Sequence, residues 1–294
     1  MARRARLLYL DQHDLSNIIN ERVPADVIRD LNQLIADGRL TLVISRTHAF
    51  ETARAQDEAF RMRIADFADG IPNKLWLLFT SEITKAEVAY CLNVGLGYAN
   101  VSRPWPFTRS ILEYCSRVPN CDTSGWDESR EFRGLVGFFL RDRSPELHRP
   151  VDEWPAFLAF VRTLGPYTTP TEDDQRKALA QHMPDRTPAG LFIAKGAFEW
   201  SVDLGKCPAS TLVAEMMDVV KRTPGAKAKP SDMPDLNHIM AIPYCDMTTL
   251  DGQMHGLVLQ TSSGKLYHDR IALNVAEALD KLGLSSASAR TESG

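Results

Sequence analysis

The segment Leu7-Leu8-Tyr9-Leu10-Asp11-Gln12-His13-Asp14-Leu15-Ser16-Asn17-Ile18 sets the pattern on which the chain is built. Four apolar residues followed at once by an acid read as a short buried strand with a carboxylate at its carboxyl end. Asp14 or Ser16 can cap the helix that follows. Downstream, Val27, Ile28, Leu31, Leu34 and Ile35 recur at helical spacing behind Pro24 and stop at Gly38. Leu40-Thr41-Leu42-Val43-Ile44 is a second buried strand. Ser45 opens a long helix expected to run to about Ala68, and Leu75–Phe79 reads as a third strand before a helix starting at Thr80 or Ser81. Strands alternating with helices in this way predict a parallel sheet covered on both faces, a three-layer α/β/α sandwich.

From about Asn93 the rhythm changes. Prolines and tryptophans (Trp105, Trp126, Trp154) accumulate, and only Glu131–Leu140 and Trp154–Leu164 show helical spacing. The stretch 93–204 therefore reads as a mostly helical insertion between core segments 1–92 and 205–284, with 285–294 a polar, disordered tail. Late in the chain, Ser210–Lys221 and Ser231–Ile242 read as helices around a basic loop, Thr223–Pro230. Asp246–Leu250 and Gly256–Gln260 read as strands, and Ile271–Leu282 as an amphipathic helix.

The 294 residues carry 34 Lys and Arg against 38 Asp and Glu, a net charge of −4, which excludes a histone-like binder but not a local phosphate-gripping patch. Five cysteines at scattered spacings form no C-x-x-C, so zinc ribbons and thioredoxin-like motifs are disfavoured and a reducing cytoplasm is expected. No apolar run is long enough to span a membrane. No P-loop, G-x-S-x-G or H-E-x-x-H is present, and Gly95-Leu96-Gly97 is no dinucleotide fingerprint.

What remains is a set of acids. Asp11 ends the first strand, Glu51 lies in the helix after the second, Asp232 and Asp235 open a late helix, and Asp246 and Asp251 flank a short strand. In open parallel sheets ligands bind outside the carboxyl ends of the strands. Acids gathered there repel one another unless cations intervene, and hard divalent ions with oxygen ligands supply the remedy. Asp after a strand is equally a common helix N-cap.

These residues resemble the PIN-like nucleases. Leu7–Ile18 is similar to the first motif of that family, LTLVISRTHAFETAR (Leu40–Arg54) to the second, and SDMPDLNHIMAIPYCDMTTLD (Ser231–Asp251) to the third and fourth, in the family's order. Leu250 stands where many members have Thr or Ser before the last acid, and both Asp232 and Asp235 suit the third motif, Asp235 by its distance to Asp251. The resemblance implies a PIN-like fold of the larger branch. It also implies phosphodiester hydrolysis, preferably of RNA, dependent on Mg²⁺ or Mn²⁺ held by Asp11, Glu51, Asp235 and Asp251, with Asp246 a further catalytic acid. Asp14, Asp232, His48 and His238 are expected one step behind the ligands. Arg46, Arg54, Lys221, Arg222, Lys227 and Lys229 are expected against phosphates. A toxin or defence role, a homo-oligomer and an inhibitory partner protein are compatible with the family. So are two alternatives: a catalytically silent binding module and a structure-specific DNA nuclease.

Overall fold

The computed structural model describes residues 4–95, 97–98, 101–117, 123–141, 171–180, 203–223 and 232–285, with isolated positions 153, 155, 156 and 159. Most of the expected helix at Trp154–Leu164, most of the basic loop with Lys227 and Lys229, and the tail from 286 lie outside the described residues.

Among the described residues, six strands form one mixed sheet. They are β1 (Arg6–Tyr9), β2 (Leu40–Ser45), β3 (Leu75–Leu77), β4 (Phe107–Thr108), β5 (Met247–Thr249) and β6 (Ile271–Ala272). Their order is β4-β3-β2-β1-β5-β6, all parallel except β4, which runs antiparallel to β3. In β1, Leu8 and Leu10 enter one core while Leu7 and Tyr9 enter the opposite one. This two-sided burial demands helices on both faces. One face carries α1 (Gln12–Ile19), α2 (Ala25–Ala36), α3 (Arg46–Arg54), α4 (Glu58–Gly70), α6 (Ile111–Cys115), α7 (Glu131–Arg141) and, near the chain end, α13 (Val275–Lys281). The other carries α5 (Thr80–Gly95), α9 (Pro208–Arg222), α10 (Asp232–His238) and α11 (Gly252–Val258). Helix α8 (Glu172–Ala180) packs on α5 and α9, and α12 is a single turn at Ser262–Leu266.

Four expectations are corrected. The long helix after β2 is two helices: Ala55 is extended, and Asp57 starts α4 by accepting the Phe60 N–H at 3.2 Å. Gly256–Gln260 is not a strand, because Asp251 caps a helix, α11, across it. Ile271–Leu282 divides into strand β6 and helix α13, with Asn274 capping the helix. The described residues of 101–117 and 123–141 join the core and do not stand apart from it. They add β4 to the sheet and lay Phe132, Leu135, Val136 and Phe139 of α7 into the main core. Asp69 of α4 fixes α7 by accepting the Phe132 and Arg133 amides at 2.8 and 3.1 Å. Glu87 of α5 does the same for α9 through the Ala209 and Ser210 amides at 2.8 and 3.0 Å.

Candidate active site at the carboxyl edge of the sheet

Strand order reverses between β1 and β5, and the crevice above their carboxyl ends is the switch point of the sheet. Asp11 and Asp251 stand there, each as a helix N-cap. Asp11 Oδ1 accepts the Asp14 N–H at 2.8 Å, and Asp251 Oδ1 accepts the Met254 N–H at 2.7 Å. The Asp11 amide donates to Thr249 Oγ1 at 3.0 Å, tying the end of β1 to the end of β5. Asp11 is 7% exposed, and burial pushes its pKa up to about 8, with Asp14, Asp251 and Asp235 adding repulsion. Asp14 is 1% exposed. Thr249 and the Val275 amide lie near its carboxylate, yet neither oxygen receives a hydrogen bond of normal geometry. Burial likewise raises its pKa. Acids from α1, α10 and the far strand end thus all act on Asp11.

Glu51 reaches this cleft through a different route. Its Oε2 lies 2.7 Å from His238 Nε2, and His238 Nδ1 lies 2.5 Å from the Tyr9 hydroxyl. Tyr9 in turn lies 2.9 Å from Ser45 Oγ, which is 3.1 Å from His48 Nδ1. His48 Nε2 ends the chain by donating to the Leu10 carbonyl at 2.7 Å. That bond fixes the tautomer, and His48 Nδ1 therefore accepts, in particular from the Ser45 N–H at 2.9 Å. Burial holds both imidazoles neutral, driving His238 down to about 3 and His48 well below its usual value. Burial also raises Glu51 to about 8, against an opposing pull from Arg54. With Glu51 ionised, the chain closes as Ser45 to Tyr9 to His238 to Glu51, each hydroxyl or N–H donating onward. With Glu51 protonated, the same atoms satisfy one another in the opposite sense, from Glu51 back to His48. Either polarity leaves no buried donor stranded.

The remaining sequence candidates fall outside this crevice or at its margin. Asp246 is corrected: it precedes β5 at the amino edge of the sheet, where it pairs with Arg6 at 3.2 Å and accepts the Leu7 amide at 2.8 Å. Asp232 begins α10, one turn before Asp235. Arg46 stacks its guanidinium over Phe79 at 4.5 Å and Phe139 at 5.0 Å, and Arg54 stacks over Phe50 at 5.6 Å. Lys221 and Arg222 end α9, with Arg222 paired to Asp218. Tyr9 and Ser45 were not singled out from the sequence as site residues. The available signal was that a tyrosine on an interior strand face needs a partner for its hydroxyl.

Among the described residues, no three His, Cys, Asp or Glu side chains already converge closely enough to hold a metal ion. The donor chemistry nonetheless suits a hard cation: the groups are carboxylates, they repel at Asp11, and the buried Asp14 oxygens receive no hydrogen bond of normal geometry. No helix of the described residues is long and apolar enough to cross a membrane. Comparisons with known protein families, curated proteins and solved structures gave no match for this chain.

Proposed function

We propose that this chain is a divalent-metal-dependent nuclease with single-stranded RNA as its preferred substrate, built on a PIN-like arrangement. The observation that carries the reading is the buried Asp14 carboxylate, held by no hydrogen bond of normal geometry, beside Asp11, with Asp235 and Asp251 acting on Asp11 at the sheet switch point. Asp11, Asp14, Asp235 and Asp251 would hold Mg²⁺ or Mn²⁺, their side chains closing in around it. A bound divalent ion supplies an activated water and offsets charge on the scissile phosphate. Glu51 holds or releases a proton at Oε2, where the bond to His238 fixes its orientation. Asp246 takes no part in this scheme, because Arg6 and the Leu7 amide occupy it at the far edge.

The test is cleavage of end-labelled single-stranded RNA, with tRNA and flap DNA alongside, in Mn²⁺, Mg²⁺ or EDTA. Metal-dependent cutting of the single strand is expected, reduced about 100-fold or more in Asp11→Asn. Intact RNA in Mn²⁺ overturns the reading in favour of a silent module, and preferential cutting of flap DNA overturns the substrate assignment.

A further inference from the structure

Beside the acidic crevice lies a cavity of about 330 Å³, near the lower bound of ~300 Å³ for small-ligand sites. It opens between the first turns of α3 and α5 and the turn of α10 that bears Asp235. Its walls include Phe50, Phe79, Arg46, Thr80, Ser81 and Asn237. Phe50 adjoins Glu51 in sequence, and Pro234 and Asn237, both in the lining, bracket Asp235. A molecule seated here therefore touches the elements that carry the acids.

We propose that this cavity binds one nucleotide of a single-stranded nucleic acid, with its base against the apolar wall and its phosphate toward Arg46. The inference rests on the nuclease reading for its strand context and deepens it by naming the recognised unit. Three features carry it. The wall is aromatic and aliphatic, suited to a flat apolar ring. Arg46 supplies the positive charge, and its stacking on Phe79 and Phe139 orients the guanidinium and lowers the entropy lost on binding. Hydrogen-bonding groups stand at the rim. Thr80 Oγ1 donates to Asn237 Oδ1 at 2.9 Å, so the Asn237 amide nitrogen remains the donor on that side. A base inside a duplex cannot enter a recess of this kind, whereas an unpaired base can turn out of its stack and into it. The net charge of −4 and the acids nearby favour a ligand gripped at one point over one held by a broad basic face.

The test is equilibrium titration of the full chain in EDTA with adenosine 5′-monophosphate, uridine 5′-monophosphate, inorganic phosphate, a single-stranded decanucleotide and its duplex. Ser81→Trp places an indole at the mouth of the cavity from an exposed position, and Asn237→Ala removes the amide; melting curves check that both fold. The expected result is binding of the monophosphates and the single strand, about tenfold weaker in either variant. Duplex binding should be much weaker. Unchanged affinity in both folded variants overturns the proposal, as does inorganic phosphate binding as tightly as a nucleoside monophosphate. Binding without cutting in Mn²⁺ defeats the nuclease reading alone. Cutting by Ser81→Trp at the wild-type rate with wild-type affinity defeats the cavity alone.

Discussion

His238 and Glu51, 187 residues apart in the chain, meet through a 2.7 Å contact between Nε2 and Oε2. The charge on Glu51 decides which way that contact runs. His238 is neutral because it is buried, so only one of its nitrogens carries a proton. With Glu51 ionised, the Tyr9 hydroxyl donates to Nδ1 and Nε2–H donates to Glu51; with Glu51 protonated, both bonds reverse.

Tyr9→Phe removes that hydroxyl without changing the shape of the core. His238 Nδ1 and Ser45 Oγ each lose a partner, at a cost of about 1–3 kcal/mol. The wild-type imidazole should show a single tautomer by nitrogen-15 NMR above pH 8, and the variant a mixture. A single unchanged tautomer in the variant would show that Tyr9 does not set it.

The pH dependence of stability follows from opposed shifts. Asp11 and Glu51 stand at about 8, above their ordinary 3.8 and 4.5, so their contribution is full at low pH and is lost as pH rises toward 8. His238 stands at about 3, below its ordinary 6.5, so its contribution is full above 6.5 and is lost as pH falls toward 3. Between about 4.5 and 6.5 the single histidine opposes the two carboxylates and only partly offsets them. Thermal melts in EDTA should therefore show a falling Tm from pH 6.5 to 8, and Asp11→Asn should flatten that fall. A Tm that rises over this interval would contradict the assignment.

Asp14→Asn separates a cation role from a purely structural one. Thr249 and the Val275 amide lie near the carboxylate without bonds of normal geometry and burial disfavours its charge, so removing that charge should raise Tm in EDTA at pH 8. Adding Mn²⁺ to the wild type at 100 times its Kd should stabilise it by about 2.7 kcal/mol, and this gain should shrink in Asp14→Asn. Equal Mn²⁺ stabilisation of both proteins would remove Asp14 from the cation's surroundings.

Gly264→Ala probes the packing beneath α12. A methyl group there would sit 2.0 Å from the Val258 carbonyl oxygen and 2.6 Å from Thr261 Oγ1. Backbone cannot yield cheaply, and urea unfolding should show a loss of about 1–3 kcal/mol.

The strand-acid pattern at Leu7–Asp11 and the helix start at Ser45 are local, and both are visible in the sequence because strand burial and capping act over a few residues. Splitting α3 from α4 depends on Asp57 outcompeting helix continuation, which periodicity alone does not weigh. The caps that Asp69 and Glu87 give to distant helices are invisible at that range, and so the region holding α7 looked detached from the core. Asp246 shows the limit most plainly. Its spacing to Asp251 fits a site, but a strand runs between them, so they face opposite edges of the sheet.

Ser45 ends β2, caps α3, bonds Tyr9 and lines the nucleotide-sized cavity. One hydroxyl thus serves two neighbouring compartments. Reshaping the recess at Thr47, Ser81 or Asn237 leaves the tautomer chain untouched, whereas any change at Ser45 acts on the cavity wall and on proton placement together. Efforts to retune which base is accepted have freedom around the rim and almost none at this shared partition.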